Sequence, residues 1–495
     1  MKNRWKNQVF AVCLAGALAA ASLSACGSTV QETTTTNTEA TAESETQTKT
    51  YLTKDDITVL ETYESTADSE HAIEVDGETV TYSNIGVTKT GDSDQGDEAD
   101  FYGDNSAVFS TNGANTTITD SLIETDGLHA NAVFSYGEGT TVTISDSVIE
   151  TSGNCSGGLM TTGGGTMIAN NLTINTSGNS SAAIRSDRGG GTVTVTDGYY
   201  KTTGTGSPVI YSTADITVND AYMESTASQA VVVEGKNSVT LNDCEVVADN
   251  NTKNSDNSDY YQAVMIYQSM SGDADDGTSS FTMNDGSITN ANGDVFFITN
   301  TQATIDLTNV DIVNNDADGV FLRAASAGWG SSDSNGGQVN LTASNQDIDG
   351  DMVVDSVSKL NLYLQDGSTL TGAINSDGEN GEVYVELSDG ATWTLTADSY
   401  ITSLTCDADS INLNGHKLYV NGVEYTEGSA STGEAVTFTQ SSGGGMGDGQ
   451  MPGGDMPSGE MPNGEKPSGD KPSGDMPEGM GPQGDGSEPP AKPGN

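Results

Sequence analysis

Positive charge is what this chain has least of: 17 Lys and Arg stand against 71 Asp and Glu, for a formal net charge of −54. A surface that acidic repels phosphate backbones and anionic headgroups, which excludes nucleic acid as a partner and leaves cations, Ca²⁺ first among them, as natural company. Histidine is nearly absent, and His71, His129 and His416 lie too far apart in sequence to suggest a catalytic triad or a metal cluster. Of the five cysteines, Cys155, Cys244 and Cys406 remain once the N-terminal Cys13 and Cys26 are set aside. An odd, widely spaced trio fits neither a disulfide framework nor a zinc site, and reads as small buried hydrophobes. After Cys26 no apolar run is long enough for a membrane helix, and helical periodicity is absent from the body.

The first residues carry the opposite composition. Lys2, Arg4 and Lys6 precede an apolar run from Val9 to Ala21, the layout of an export signal and too short to span a bilayer. The run ends in Leu23-Ser24-Ala25-Cys26, which resembles a bacterial lipobox. The expectation is a lipoprotein signal peptide over residues 1–26, with lipidation of Cys26 and export to the outer face of the cytoplasmic membrane. Two acyl chains suffice to hold a protein there, so the body needs no other membrane contact and stays surface-exposed. Residues 27–50, rich in Thr and Glu, read as a disordered tether. Residues 441–495 repeat MPGGD, MPSGE, MPNGE and KPSGD and read as a disordered tail, since Pro and Gly at that density build no core.

Between them, residues 51–440 repeat one pattern: an apolar residue, Asp or Asn two later, and an apolar residue three after that. The central positions are Asp120, Asp146, Asn171, Asp197, Asp220, Asp243, Asp285 and Asn309, spaced 23 to 26 residues apart apart from one gap of 42. Thr, Val, Ile and Ser alternate around each copy, as strands do. A repeat of that length with short strands predicts an all-β fold, a single right-handed parallel β-helix of about 12 to 13 coils. The Asp/Asn positions then stack as a structural ladder at one turn, where such side chains tolerate a tight bend. Residues 51–80 should cap one end, and Ile411 to Leu413 with Leu418 to Val420 should close the other.

A second repeat precedes each ladder position, as in Ala107-Val108-Phe109 and Ala132-Val133-Phe134. Its middle residue should point inward and its third outward. The outward stripe then runs Phe109, Phe134, Met160, Arg185, Ile210, Val232, Met265, Phe296, Phe321 and Val353, with Tyr136 and Tyr267 two residues further on. Either it is a contact surface suited to sugar rings, or loops or the 51–100 segment cover it as a second core.

Insertions at 249–261, 268–280 and 324–338 break the coils, and the last two should wall a notch holding Trp329, Asp273, Asp275, Asp276 and Asp333, with Tyr267, Phe296 and Phe321 of the stripe as further candidate ligand contacts. Asp92, Asp94, Asp97 and Asp100 form a second carboxylate-rich loop, a candidate Ca²⁺ site, although solvated charge explains such clusters as well.

The coils, the ladder, segments such as SAAIRSDRGGGTVTV and YQSMSGDADDG and the Met/Pro/Gly tail resemble secreted, lipid-anchored, adhesin-like β-helix proteins of Gram-positive gut bacteria. These belong to the broader pectin-lyase-like group. The resemblance covers roughly residues 80–425 and implies a binding or adhesin-like surface for a polysaccharide or a cell-wall or host glycan, with a pectate-lyase-like enzyme or a structural coat protein as alternatives. The lyase alternative would rest on Arg185-Ser186-Asp187-Arg188, but the paired arginines around a proline that such lyases carry are missing, as are the polygalacturonase motifs. No constellation passes a role-by-role test for catalysis, and the oligomeric state is not legible.

Overall fold

The computed structural model describes residues 49–378 and 381–438, and over them the chain is a parallel β-helix. The signal peptide with Cys26, nearly all of the tether and the tail beyond 440 lie outside the described residues. Strands form where the alternation places β-branched residues on one face. In Thr141–Thr151, Val142 and Ile144 are buried while Thr141 and Thr143 are partly exposed. Each coil lays the same position on the next, so that Ile118, Ile144, Ala169, Val195, Val218 and Leu241 form one inward column through parallel pairing. Burying each large member of such a column contributes about 1.5 to 3 kcal/mol.

One sheet of 20 strands carries the strands on both sides of the ladder turn, and a sheet of 11 strands, from Ile73–Asp76 to Met352–Val354, forms a second wall. Between them a single apolar core runs from Ile73 to Leu418. The later coils add a 4-stranded sheet ending at Ile411–Asn412 and a 3-stranded sheet in which Leu418–Val420 meets Val423–Glu424 antiparallel. That reversed pair is the last strand pairing of the described residues.

All eight ladder residues have left-handed backbone, with φ between 49° and 61°, and Asn84, Asn345, Asp366 and Asp389 continue the series. Asp and Asn tolerate this conformation better than other residues with a β-carbon. Where Asn follows Asp the side chains join across coils: Asn171 Nδ2 donates to Asp146 Oδ1 at 2.8 Å, and Asn309 Nδ2 to Asp285 Oδ1 at 2.6 Å. A glycine column marks another turn. A β-carbon on Gly127, Gly153, Gly178 or Gly204 would sit 1.8 to 2.0 Å from the carbonyl oxygen of the glycine one coil earlier, so only glycine fits.

The 51–80 segment is a working part of the solenoid and not a plug. Glu61–Ser65 pairs with Ile85–Lys89, and Ile73–Asp76 with Val108–Thr111, so these residues form the first coil. Preceding them, a short strap crosses the outside of several coils. Lys54 pairs with Glu124 at 2.7 Å and also with Glu150, the Leu52 carbonyl accepts the Thr173 hydroxyl, and Tyr51 packs on Tyr199 and Tyr222.

Candidate functional site

The outer face of the 11-stranded sheet gathers nearly all the unusual side chains, and pairing register decides which. Val108, Val133, Leu159, Ile184, Ile210, Val231, Val264, Phe296, Leu322 and Met352 stack on one another and face the core. The outward row is therefore Phe109, Phe134, Met160, Arg185, Tyr211, Val232, Met265, Phe297, Arg323 and Val353. Ile210, Phe296 and Phe321, expected outside, belong to the inner core, so Phe296 and Phe321 are not ligand contacts. The triplets at these three coils fall out of step with the inward position, although the distance from the turn glycine to the inward residue is the same from Gly178 to Ile184 as from Gly204 to Ile210, and a one-residue slip in register moves every side chain to the other face.

The stripe is covered. Phe134 and Met160 are fully buried, and with Phe109 and Tyr136 they form a small second core. Its roof is the helix Asp97–Tyr102 and His71, whose ring stacks on Phe109 at 4.6 Å. Further along, Val232, Met265, Phe297 and Ala325 form another such core, on which Tyr211, Tyr267 and Trp329 pack. Tyr260 lies against Phe297 at 5.4 Å and under the Arg323 guanidinium at 4.3 Å, and Arg323 pairs with Asp294 at 2.6 Å.

Between the two covered stretches lies a dense polar network. Asp100, lowered from the helix, accepts His129 Nδ1 at 3.1 Å and Asn131 Nδ2 at 3.0 Å, and meets Arg185 at 3.1 Å. Arg185 also pairs with Asp187 at 3.1 Å. Burial works against the Arg185 charge, but Asp100 and Asp187 outweigh it and hold its pKa above the usual value. Burial likewise works against ionised Asp100, and Arg185, His129 and Asn131 overcome it, so that its carboxyl stays below the ordinary range. Asp187 goes the other way. Burial, with Asp100 and Asp273 nearby, outweighs Arg185 and pushes it up to about 7. Arg185 is thus held in its charged form between two carboxylates.

The next three coils place Tyr211 and Tyr267 on either side of Glu234. Both hydroxyls donate to Glu234 Oε2, that of Tyr267 at 2.9 Å, and Glu234 Oε1 is buried with no hydrogen-bond partner among the described residues. Burial and the Glu234 charge push both tyrosines well above their ordinary pKa, so both stay neutral donors.

Above them opens a cleft of about 120 Å³ lined by Tyr211, Tyr267, Tyr260, Lys253, Asn254 and Trp329, among others. Trp329 meets Tyr267 edge-on at 5.1 Å. The loop bearing Trp329 is fixed by Asn335 Nδ2, which donates to the Ala327 and Trp329 carbonyls, and by Gly328 N–H donating to the Asn257 carbonyl at 2.6 Å.

The notch is thus walled by the 249–261 and 324–338 insertions, not by 268–280 as expected. Opposite charges draw the 268–280 loop toward earlier coils: Asp273 pairs with Arg188 at 2.6 Å and Asp275 with Lys236 at 2.7 Å, while Asp276 is exposed. These carboxylates do not join Trp329 in the cleft. The second acidic loop does not converge either. Asp92 accepts the Leu128 N–H, Asp94 accepts Gln95, Asp97 opens the helix on the solvent side, and Asp100 is turned inward. No metal-ligand cluster among the described residues contains more than one of the four.

No protein-family model, curated protein or solved structure matches the chain. The class stated here, a parallel β-helix with a decorated outer face, therefore rests on the chain's own strand pairing.

Proposed function

We propose that this protein is a lipid-anchored, surface-displayed binding module of adhesin-like character, which holds carbohydrate in the cleft between the 249–261 and 324–338 insertions. One observation carries the reading. Elsewhere on this face the apolar stripe is sealed, whereas at the cleft Trp329 and Tyr260 stay partly open to solvent beside two tyrosine hydroxyls already oriented by a buried carboxylate. Aromatic faces stack on the apolar faces of sugar rings, and Lys253 and Asn254 at the rim supply hydrogen bonds. The partner is a polysaccharide or a cell-wall or host glycan, and the membrane is met through the acylated Cys26 alone.

A glycan array probed with the protein, with Ca²⁺ and with chelator, tests this reading. Retention of a glycan is expected, and Trp329→Ala should weaken it by about 1 kcal/mol or more, since aromatic anchors dominate such contacts. Unchanged retention with a clear loss of stability would make Trp329 a loop anchor on Tyr267 and sink the cleft as the site. Release of cleaved product would replace the binding reading with an enzymatic one, and no retention at all would favour a structural coat protein.

A further inference from the structure

A cluster that the binding cleft does not use lies two coils away. Among the described residues one group of metal-ligating side chains converges: Asp100, His129 and Cys155, whose ligand atoms all lie within 4.8 Å of one another. Three unrelated parts of the sequence deliver them. His129 and Cys155 occupy the same turn position in consecutive coils, linked as His129 N–H to the Asn154 carbonyl and Cys155 N–H to the Asn179 carbonyl. Asp100 descends onto them from the inserted helix.

The backbone at this position is left-handed, φ 56° at His129 and 55° at Cys155, and the next coils place Ser180 and Gly206 there. Cysteine brings no local advantage at such a turn, where glycine or asparagine costs least and histidine is tolerated. A second observation points to something bound. Arg185, which grips Asp100, has its Nη1 buried with no acceptor among the described residues.

We propose that Asp100, His129 and Cys155 form a site for a borderline divalent transition metal, of which Zn²⁺ is the type. One oxygen, one nitrogen and one sulfur donor suit such an ion, with a fourth position left for water. They do not suit Ca²⁺, which requires six or more oxygens. The oxygen of a metal-bound water would supply the acceptor that Arg185 Nη1 lacks. Asn131 and Arg185 orient the Asp100 carboxylate from behind, as partners of metal ligands do.

Asp100 and the Cys155 thiolate together offset the two charges of the metal. On binding, the Cys155 S–H bond breaks, its proton leaves to solvent and the sulfur lone pair forms the bond to the metal. Without metal, burial and the nearby Asp100 push the Cys155 thiol up to about 11. A bound ion would pin the helix Asp97–Tyr102 over Phe109 and Phe134.

Co²⁺ is the probe, because cobalt–thiolate bonds absorb in the near ultraviolet and carboxylates do not, so the 71 acidic residues contribute no such band. The full chain titrated with Co²⁺ should develop this band, and Zn²⁺ should displace it. Cys155→Ser should abolish the band and weaken Co²⁺ binding at the site about tenfold or more. Serine already stands at this turn at Ser180, with φ 55°, so the variant keeps a fold-compatible residue. His129→Asn should weaken binding similarly and alter the band, whereas Cys244→Ser and Cys406→Ser should leave it intact. No sulfur-to-cobalt band in the full chain, or a band that survives Cys155→Ser, would overturn the proposal.

Discussion

At Asp146 the backbone turns with φ 49°, and the side chain accepts the Asn171 amide at 2.8 Å from the next coil. The left-handed conformation favours Asp, Asn and Gly because a larger side chain crowds the following carbonyl. Asp146→Leu should therefore destabilise the fold by about 1 to 3 kcal/mol, the range for an unsatisfied turn group. Asp146→Gly should cost less, since it loses the hydrogen bond but relieves the backbone. Chemical denaturation of the two variants checks the order. Glycan retention should be unchanged in both wherever they are folded, and a selective loss in a stable variant would make the ladder functional.

At the scale of elements, the fold alone accounts for the sheets, and the additions are the helix Asp97–Tyr102 and the insertions laid over the outer face. They are clasped together through Asp100, Arg185, Asp187, Arg188 and Asp273, with the Arg188 guanidinium also over the Phe101 ring at 3.9 Å. Asp187 sits in this clasp with its pKa raised to about 7. An acid whose folded pKa exceeds its unfolded value of about 3.9 contributes stability that is fully present below the unfolded value and is lost as pH rises through the folded one. The window is thus roughly pH 4 to 7. Asp100, shifted downward, acts only below it. The expected result is that wild type loses stability relative to Asp187→Asn between pH 5 and pH 8, by an amount on the order of a few kcal/mol. Melting both proteins at the two pH values is the check, and parallel curves would mean that Asp187 is ionised throughout.

For the whole molecule, a net charge of −54 is the dominant fact. Self-repulsion of that size opposes compaction, and salt screens exposed charges while leaving buried pairs such as Arg185 with Asp100 largely untouched. The melting temperature should therefore rise between low salt and about 1 M NaCl, where the Debye length is about 3 Å. A fall would mean that exposed ion pairs such as Lys54 with Glu124 outweigh the repulsion, contrary to the usual weakness of surface pairs.

The β-helix was legible because its causes are local and repeated. Alternation sets the strands, the Asp/Asn ladder sets one turn, and the constant spacing stacks the coils, so sequence alone determined the fold class and which residues build the ladder. The outer face was not legible to the same degree. Counting triplets placed Ile210, Phe296 and Phe321 outside, because at those coils the triplet falls out of step with the inward position, and strand register corrects it. The glycine column was present in the sequence at Gly127, Gly153, Gly178 and Gly204 and could have been found by the same spacing. The site residues depended on long-range geometry. Trp329 and Tyr267 do line one cleft, but Glu234 and Tyr211 gave no signal, and Asp273 lies away from it because Arg188, far away in sequence, attracts it. The histidines looked too far from one another to cluster and the cysteines too widely spaced to bind metal, yet one turn of the solenoid places His129 and Cys155 side by side, and an inserted helix sets Asp100 upon them. A repeat fixes what recurs in every coil; what occurs once is decided by which loop folds over which coil, and that is settled only by tertiary contacts.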